Sequence, residues 1–258
     1  MSASLEEISG METIPQSHLI WAISDSHTSA TLFGFNPTSQ TIEETIPLHG
    51  IKNKDWEDMA TDAKGNLYIG DFGNNNNKRK DLAIYKIPSI TKEKKPITVF
   101  TTTFNYEDQT EFPPKKKERN FDVESFIHLN NHFYLFTKNR SSHFDGTVKV
   151  YKLPDTLGHH TAKLISTYKT CDNKTNCRIT SATVNFETGM IVLLSNAKLW
   201  LLKDYKKDDF FSGSIEEIDL KHRSQKESIS FKDANTLYIA DEKNGILGGN
   251  VYEFQLNK

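Results

Sequence analysis

Short apolar runs recur along the whole chain. They are rich in Ile, Val, Tyr, Phe and Trp, and residues such as Gly, Asn, Asp and Pro separate them. Runs of this kind between turn-forming residues are typical of β-strands, whereas the spacing of apolar residues that marks an amphipathic helix is scarce here. The pattern therefore predicts an all-β protein made of many short strands.

A longer unit repeats above the level of single strands. Its three clearest copies contain the segments DWEDMATDAKGNLYIGDFG, FDVESFIHLNNHFYLFTKN and QKESISFKDANTLYIADEK. In each copy a Glu opens one strand, and a polar residue ends the next strand fourteen positions later: Glu57 with Asp71, Glu124 with Lys138, and Glu227 with Asp241. An aromatic residue marks the third strand of each copy, and we expect these side chains to pack in the core: Tyr85, Tyr151 and Tyr252.

Two weaker copies complete the set. Ser9 and Thr180 stand where the Glu would be, and Asp25 and Ser195 take the second polar position. Four of the five units continue into one more strand-like run. Because four strands repeated around an axis make the blades of a β-propeller, we predict one β-propeller domain over residues 1–258. Five four-stranded blades are visible in the repeat, and the last one is short of a strand.

The Glu residues that open the units are candidate metal ligands. The first strand of each blade lines the channel of a propeller, so Glu57, Glu124 and Glu227 are expected to converge there. Crowded carboxylates need either a cation or protons. Oxygen ligands without His or Cys favour Ca²⁺, with Mg²⁺ next. The alternative is a structural clasp in which each Glu accepts hydrogen bonds from backbone N–H groups of its neighbours, and a catalytic role for the ring is a third possibility.

The second polar positions lie where a strand enters a loop, which places them at one mouth of the channel. Asp25, Asp71, Lys138 and Asp241 are therefore the candidate ligand-binding residues, since ligands bind most often at such loop-lined openings. The Asn-rich loop of residues 73–79 follows directly. It either grips a polar ligand with its amides or is a turn-rich surface loop.

Charge and composition exclude two classes of partner. The formal net charge is -2, and the basic run at residues 115–117 lies beside Pro and Glu in what we interpret as a solvated loop, so nucleic acid is not an expected partner. No window has the roughly 18 apolar residues of a membrane-spanning helix. We expect a monomer that binds a small polar ligand or a protein.

The two cysteines bear on the compartment. Cys171 and Cys177 bracket five polar residues, and they either close a hairpin disulfide or remain free thiols. A disulfide would indicate an oxidising space, because such bonds persist there. The sequence begins without the basic-then-apolar pattern of an export signal. We therefore expect a secreted or periplasmic protein whose signal has been removed, or a cytoplasmic one if Met1 is the native start.

Several segments carry a resemblance to known proteins: EISGM, DWEDMA with YIGDFGNN, FDVESF with LFTKNR, ITSA, and QKESISF with IADEK. At the level of the repeat, they resemble uncharacterised bacterial propellers of the TolB-like kind, including the SdiA-regulated and esterase-like phytase families. The resemblance implies an axial acidic ring and usually six blades; a sixth blade would lie between Pro88 and Asn120. It implies no particular reaction, because propellers host many activities.

Two functions follow from these features. The first is a ligand- or partner-binding module with an acidic channel that holds Ca²⁺. The second is a metal-dependent hydrolase of phosphates or esters, in which Glu57, Glu124 or Glu227 supply ligands and Asp71 or Asp241 a base. No catalytic residue is assigned, because the sequence contains no nucleophile elbow, phosphate-binding glycine loop or zinc-protease motif. A cytoplasmic scaffold is a third reading if the chain begins at Met1.

Overall fold

The strands pair in the order in which they follow one another along the chain. The computed structural model describes residues 3–25, 28–88, 90 and 97–256. The first repeat forms a four-stranded antiparallel sheet in sequence order. Its strands are β1 (Ile8–Thr13), β2 (Ile20–Ser24), β3 (Thr31–Asn36) and β4 (Thr41–Pro47).

The second and third repeats join into one eight-stranded sheet. Each repeat contributes four antiparallel strands, and the two outermost strands, β8 and β12, pair in parallel. The second repeat comprises β5 (Trp56–Thr61), β6 (Leu67–Asp71), β7 (Leu82–Ile87) and β8 (Phe100–Tyr106). The third comprises β9 (Val123–Leu129), β10 (His132–Thr137), β11 (Thr147–Pro154) and β12 (Gly158–Lys169).

The fourth repeat is again a four-stranded sheet, and the fifth has three strands in the part of the chain that is described. The fourth comprises β13 (Ile179–Val184), β14 (Ile191–Ser195), β15 (Lys198–Lys203) and β16 (Ser214–Asp219). The fifth comprises β17 (Lys226–Asp233), β18 (Thr236–Asp241) and β19 (Val251–Gln255). Short 3-10 turns lie at Ala3–Leu5 and Lys116–Glu118.

The first strands of the repeats contact one another in a closed ring. β1 contacts β5 and β17, β9 contacts β5 and β13, and β13 contacts β17. The prediction that Glu57, Glu124 and Glu227 lie on innermost strands is confirmed, because they lie on β5, β9 and β17. Between Pro88 and Asn120, where a sixth blade was left open, the described residues form only β8 and one 3-10 turn.

Apolar side chains fill the spaces between neighbouring repeats. Each of five buried clusters draws on two repeats that are adjacent in the ring. Between the second and third repeats, for example, Phe72 meets Phe126 edge-to-face with ring centroids 5.3 Å apart. Such pairs contribute about 0.5–1.5 kcal/mol beyond the area they bury. The core therefore fixes the angle between repeats, and with it the position of the channel mouth.

Cys171 and Cys177 form a disulfide, the first of the two alternatives that the sequence left open, with Cα atoms 5.7 Å apart. The bond closes the connection between β12 and β13, and Cys177 is fully buried. Among the described residues, no helix is long and apolar enough to span a membrane.

Candidate functional site

Each residue that opens a repeat lies at a β-bulge. In all five first strands the pairing register shifts by one residue at the opener. The extra residues are Ser9, Glu57, Glu124, Thr180 and Glu227. A bulge leaves one residue out of the ladder and re-aims its side chain, and bulges are frequent next to functional sites. The recurring Glu of the sequence is thus the mark of a conformational repeat as well as a chemical one.

The fixed interval between opener and second position is a consequence of the hairpin. Trp56 pairs with Asp71, and Lys226 pairs with Asp241. The opener and the second polar residue therefore lie at the same end of the first two strands. That shared end is called the channel mouth below.

Three carboxylates at the channel mouth form a candidate cation site. Asp25 follows β2, while Asp55 and Glu57 flank the start of β5, and one oxygen atom from each lies within 4.8 Å of the others. Calcium–oxygen distances are about 2.3–2.6 Å, so two ligands on opposite sides of the ion are roughly twice that distance apart. These three residues, called the acidic triad below, can therefore bind a single metal ion.

The acidic triad is crowded and poor in solvent. Glu57 is only 8% exposed, and burial, followed by the charges of Glu124 and Asp122, raises the pKa of its carboxyl well above the usual range. Burial and the nearby Asp25 raise the pKa of Asp55 to about 6. In both residues, burial and neighbouring carboxylates disfavour the ionised form, and a bound cation would favour it.

Gly73 packs directly against the acidic triad. A Cβ at this position would collide with the carboxylate of Glu57 and lie 2.5 Å from an oxygen of Asp55. The loop after β6 therefore passes in close contact with two of the three carboxylates. Any side chain at this position would displace them.

Glu124 has a different environment, because basic residues of the protein already neutralise it. Lys138 Nζ lies 2.8 Å from one carboxylate oxygen, and Arg140 Nη2 lies 2.5 Å from the other. Burial raises the pKa of Glu124, but these two cations outweigh it and bring the pKa to about 2. Arg140 also bridges to Asp122, at 2.5 Å. The structure thus supplies its own cations at this opener.

Glu227 is intermediate between the unpaired Glu57 and the closely paired Glu124 among the described residues. Its carboxylate lies 3.7 Å from Lys138 Nζ. Burial raises its pKa to about 7, while Lys138 opposes the shift and Glu124 adds to it. Glu242, one residue after Asp241, has its pKa raised to about 8 by burial and by Glu227. The channel mouth therefore has an acidic side around Glu57 and a basic side around Lys138 and Arg140.

The second-position aspartates accept hydrogen bonds from residues on or next to the third strand of their own repeat. Asp71 accepts hydrogen bonds from Arg79, at 2.8 Å, and from the Tyr85 hydroxyl, at 3.2 Å. Asp241 accepts them from the Asn250 backbone N–H, at 2.9 Å, and from the Tyr252 hydroxyl, at 2.7 Å. Both carboxylates thus form hydrogen bonds within their own repeat and link its second strand to its third.

The repeated tyrosines differ in burial. Tyr85 and Tyr151 are buried, as core packing requires, but Tyr252 on β19 is only half-buried. The expectation of core packing is therefore wrong for Tyr252, because β19 has no strand outside it among the described residues. The Tyr151 hydroxyl donates to Asp108, at 2.8 Å, since its own repeat has Lys138 at the second position.

The Asn-rich loop is partly an exposed turn and partly a buried contact. Asn75 and Asn76 are exposed in a turn, as the surface-loop alternative predicts. Asn74 and Asn77 are buried, and they hold the start of the third repeat. The Asn74 backbone N–H donates to Asp122, at 2.5 Å, and the Phe121 N–H donates to the Asn77 side-chain oxygen, at 3.0 Å. A role of this loop in ligand binding stays a prediction.

Asp58 forms a clasp that the sequence reading did not assign. Its fully buried carboxylate accepts hydrogen bonds from the Phe126 backbone N–H, at 3.1 Å, and from the Ser181 hydroxyl, at 2.9 Å. The Ser181 oxygen in turn accepts from the Ile229 N–H, at 3.2 Å. One carboxylate thus connects β5, β9, β13 and β17. The backbone clasp considered for the Glu ring is made by the residue directly after Glu57.

Sequence reasoning also missed the residues two positions before the openers. Asp55 joins the acidic triad, Asp122 binds Arg140, and Arg178 occupies the same place before Thr180. The motif Asp-x-Glu appears in two copies, as DWE and DVE, and it was the available signal. Arg178 Nε is buried without a hydrogen-bond partner among the described residues. Burial and the nearby Arg140 lower the pKa of this guanidinium.

Comparison with known proteins gives a fold and no family. No family of known proteins matches the sequence, and no curated protein is similar to it in sequence. The structure is similar to the PQQ-bound form of aldose sugar dehydrogenase from Streptomyces coelicolor, with a TM-score of 0.54 at 8% identity over 96% of this chain and 94% of that chain. The fold is β-propeller-like.

Two further solved structures are similar over most of this chain. A gluconolactonase from Xanthomonas campestris matches with a TM-score of 0.49 at 8% identity, over 92% of this chain and 69% of that chain. The WD40 repeats of RRP9 match with a TM-score of 0.43 at 12% identity, over 97% of this chain and 64% of that chain. At these identities the likeness concerns the fold alone.

Proposed function

We propose that this protein is a single-domain, five-bladed β-propeller that binds Ca²⁺ at its channel mouth and uses that site to hold a polar ligand. The acidic triad of Asp25, Asp55 and Glu57 is the observation that carries the proposal. Of the three openers considered as metal ligands, Glu57 remains the central one. Glu124 and Glu227 are not direct ligands in this proposal, because both form ion pairs with basic residues. Lys138 and Arg140 pair with Glu124, and Lys138 also lies near Glu227.

The chemistry of the acidic triad favours a hard cation. It offers only carboxylate oxygens, which suit Ca²⁺ and Mg²⁺ and do not suit soft metals. Three protein carboxylates supply only part of the roughly six to eight oxygen ligands of Ca²⁺, so water or a ligand oxygen would complete the set. Ca²⁺ tolerates irregular sets of ligands better than Mg²⁺, which demands a near-octahedral arrangement.

Calcium is expected to raise the melting temperature of the wild-type protein relative to EDTA. At a hundredfold excess over its dissociation constant the ion adds about 2.7 kcal/mol, which corresponds to a shift of roughly 5 to 10 °C for a protein of this size. Glu57→Gln keeps the size of the side chain and removes its charge, so the shift should largely disappear. Thermal scans of both proteins in EDTA and in millimolar CaCl₂ make the measurement.

Glu44→Gln on the exposed face of β4 is the matched control and should keep the full calcium shift. Equal melting temperatures for the wild-type protein in EDTA and in calcium would contradict the site. A shift that persists in Glu57→Gln would place the ion elsewhere. Replacing Ca²⁺ by Mg²⁺ at the same concentration should give a smaller shift.

The basic side of the mouth points to an anionic ligand. Lys138 and Arg140 are occupied by carboxylates, but Arg178 has a buried Nε with no hydrogen-bond partner among the described residues. A phosphate or carboxylate group can meet both a calcium ion and a guanidinium, because each binds anionic oxygens. Asp71 and Asp241, engaged by their own repeats, support the fold of the mouth more than they contact the ligand.

Phenyl phosphate is a suitable probe for this ligand class. We expect calcium-loaded protein to bind it, and Arg178→Ala to weaken binding about tenfold, the loss typical of one charge-assisted contact. Lys64→Ala, in the exposed turn between β5 and β6 at the opposite end of the strands, should change nothing. Calorimetry measures binding, and phosphate release over hours separates a binding module from a hydrolase. Binding that ignores Arg178 would refute this part of the proposal.

The compartment and the number of blades complete the proposal. The Cys171–Cys177 disulfide supports a secreted or periplasmic location, because such bonds persist in oxidising spaces. The five first strands that contact one another in a ring support a count of five blades, the last with three strands.

A further inference from the structure

The last sheet has an open outer edge. In the other four repeats the third strand pairs with a fourth, but β19 has no strand outside it among the described residues. The central residues of β15, the matching third strand of the fourth repeat, are buried, whereas Val251, Tyr252 and Phe254 of β19 are only half-buried. An open edge presents unpaired backbone N–H and C=O groups that can pair with another chain.

A groove runs beside this edge. Its cavity volume is 820 Å³, and it lies between the first sheet and the last. Its lining includes Phe35 and Ile42 on one side and Tyr238, Val251 and Glu253 on the other. The groove is bounded on both sides by strands of this chain, which favours an extended segment as its occupant over the folded edge of a second copy.

The chain shows what kind of strand fits such a place. Two of its own fourth strands, β4 and β16, read TIEETIP and SIEEID. Their isoleucines are half-buried and their glutamates are exposed. In the fourth sheet, charges on neighbouring strands are complementary: Lys198 pairs with Glu217 at 2.5 Å, and Lys203 with Glu216 at 2.9 Å. A fourth strand is therefore amphipathic, and its charges oppose those of the third strand.

On β19 the charged residue is acidic. Glu253 is exposed and lines the groove, and its one ion pair among the described residues is with Lys232 at the surface, at 2.6 Å. An incoming strand that complements it carries Lys or Arg where β16 carries Glu. Cross-strand pairs of opposite charge stabilise a sheet, and like charges opposite each other destabilise it. The negative charge of Glu253 thus favours basic segments over acidic segments of the same shape.

We propose that the groove between β4 and β19 is a docking site for an extended, basic and amphipathic segment of a partner protein, which adds to the edge of β19 as a fourth strand. The backbone groups of β19 supply affinity, and the groove, whose lining mixes apolar side chains such as Phe35 and Val251 with polar ones such as Thr41 and Glu253, supplies selectivity. This is recognition by strand addition, in which main-chain hydrogen bonds hold the peptide and alternate side chains fill pockets. The proposal does not depend on the acidic triad.

Peptides copied from the chain's own fourth strand are the probes. SGSIKKIDL, with Lys in place of both glutamates, should bind the full-length protein one to one and about tenfold more tightly than SGSIEEIDL. SGSIKPIDL, in which Pro interrupts the pairing strand, should not bind. Fluorescence anisotropy gives the affinities, and hydrogen exchange should show slower exchange of the β19 amides in the complex.

Variants of the groove make the test specific. Glu253→Lys should reverse the preference, so that SGSIEEIDL binds more tightly than SGSIKKIDL, and this exposed change should leave folding intact. Val251→Asp should weaken binding about tenfold or more, whereas Ile246→Asp in the exposed loop before β19 should not. Absence of binding at millimolar peptide, affinities indifferent to Glu253→Lys, or a dimer that Val251→Asp dissociates would each overturn the proposal.

Discussion

Lys138→Met is expected to destabilise the protein by about 3 kcal/mol, because removing one partner of a buried ion pair leaves an uncompensated charge. Lys138 has a side chain only 13% exposed, and Glu124 beside it is 4% exposed. Arg140 remains as a second partner of Glu124, which keeps the loss at the lower end of the range for such pairs. Urea unfolding followed by tryptophan fluorescence measures the loss.

Matched variants separate this effect from a general loss of lysine. Lys203→Met removes an exposed pair with Glu216 and should change stability by less than about 1 kcal/mol. Adding Glu124→Gln to Lys138→Met should recover part of the stability, since the orphaned charge is then gone. A loss equal to that of Lys203→Met would contradict the view that Lys138 is the cation of the ring.

The same pair predicts a dependence on pH. The pKa of Glu124 falls from its ordinary value of 4.5 to about 2 in the folded protein, so its pairing stabilises the fold above the unfolded pKa. That stability is lost as the pH falls through about 2. Lys138→Met should weaken this dependence, because the depressed pKa rests on Lys138 first and Arg140 second. Unfolding curves between these two pH values measure the difference.

The repeat predicted the fold because it records the geometry of a hairpin. An opener and a second polar residue fourteen positions apart lie at the same end of two paired strands, and three such copies predict three equivalent hairpins. The bulge at the opener, however, has no signature in a single sequence. Neither does the edge pairing of β8 with β12, which joins two repeats into one sheet.

The site was only half predictable, because the sequence does not say which charges meet. Asp25 and Glu57 were singled out, and Asp55, which completes the acidic triad with them, was not. The repeat predicts Lys138 as a ligand-binding residue of the mouth. In the structure Lys138 Nζ lies 2.8 Å from a carboxylate oxygen of Glu124 and neutralises its charge. Cross-repeat contacts depend on the packing angle between sheets, and the apolar core fixes that angle.

The same electrostatic requirement applies to the ring of openers and to the channel mouth. Acidic and basic groups crowded into a small volume are stable only if each negative charge has a proton, a cation or a hydrogen-bond donor near it. The protein satisfies Glu124 with basic side chains and Asp58 with donors from neighbouring strands. No ion pair or hydrogen bond among the described residues includes the Glu57 carboxylate, although Lys138 and Arg140 interact with it electrostatically. Burial and neighbouring carboxylates raise its pKa. The place left over in the charge pattern is therefore the place where an ion is proposed.

Asp58→Ala is expected to give the largest loss of stability, roughly 4 kcal/mol, because it leaves buried donors on two other strands without an acceptor at about 1–3 kcal/mol each. The Phe126 N–H and the Ser181 hydroxyl both donate to this carboxylate. Asp58→Asn keeps one acceptor oxygen and should lose less. Asp172→Ala, in the exposed disulfide loop, is the control and should stay within about 0.5 kcal/mol of wild type. Burial raises the pKa of Asp58 well above its usual range, with the donors opposing the shift. If Asp58→Ala unfolds at the same urea concentration as Asp172→Ala, the carboxylate does not clasp the first strands together, and the ring is held by apolar packing alone.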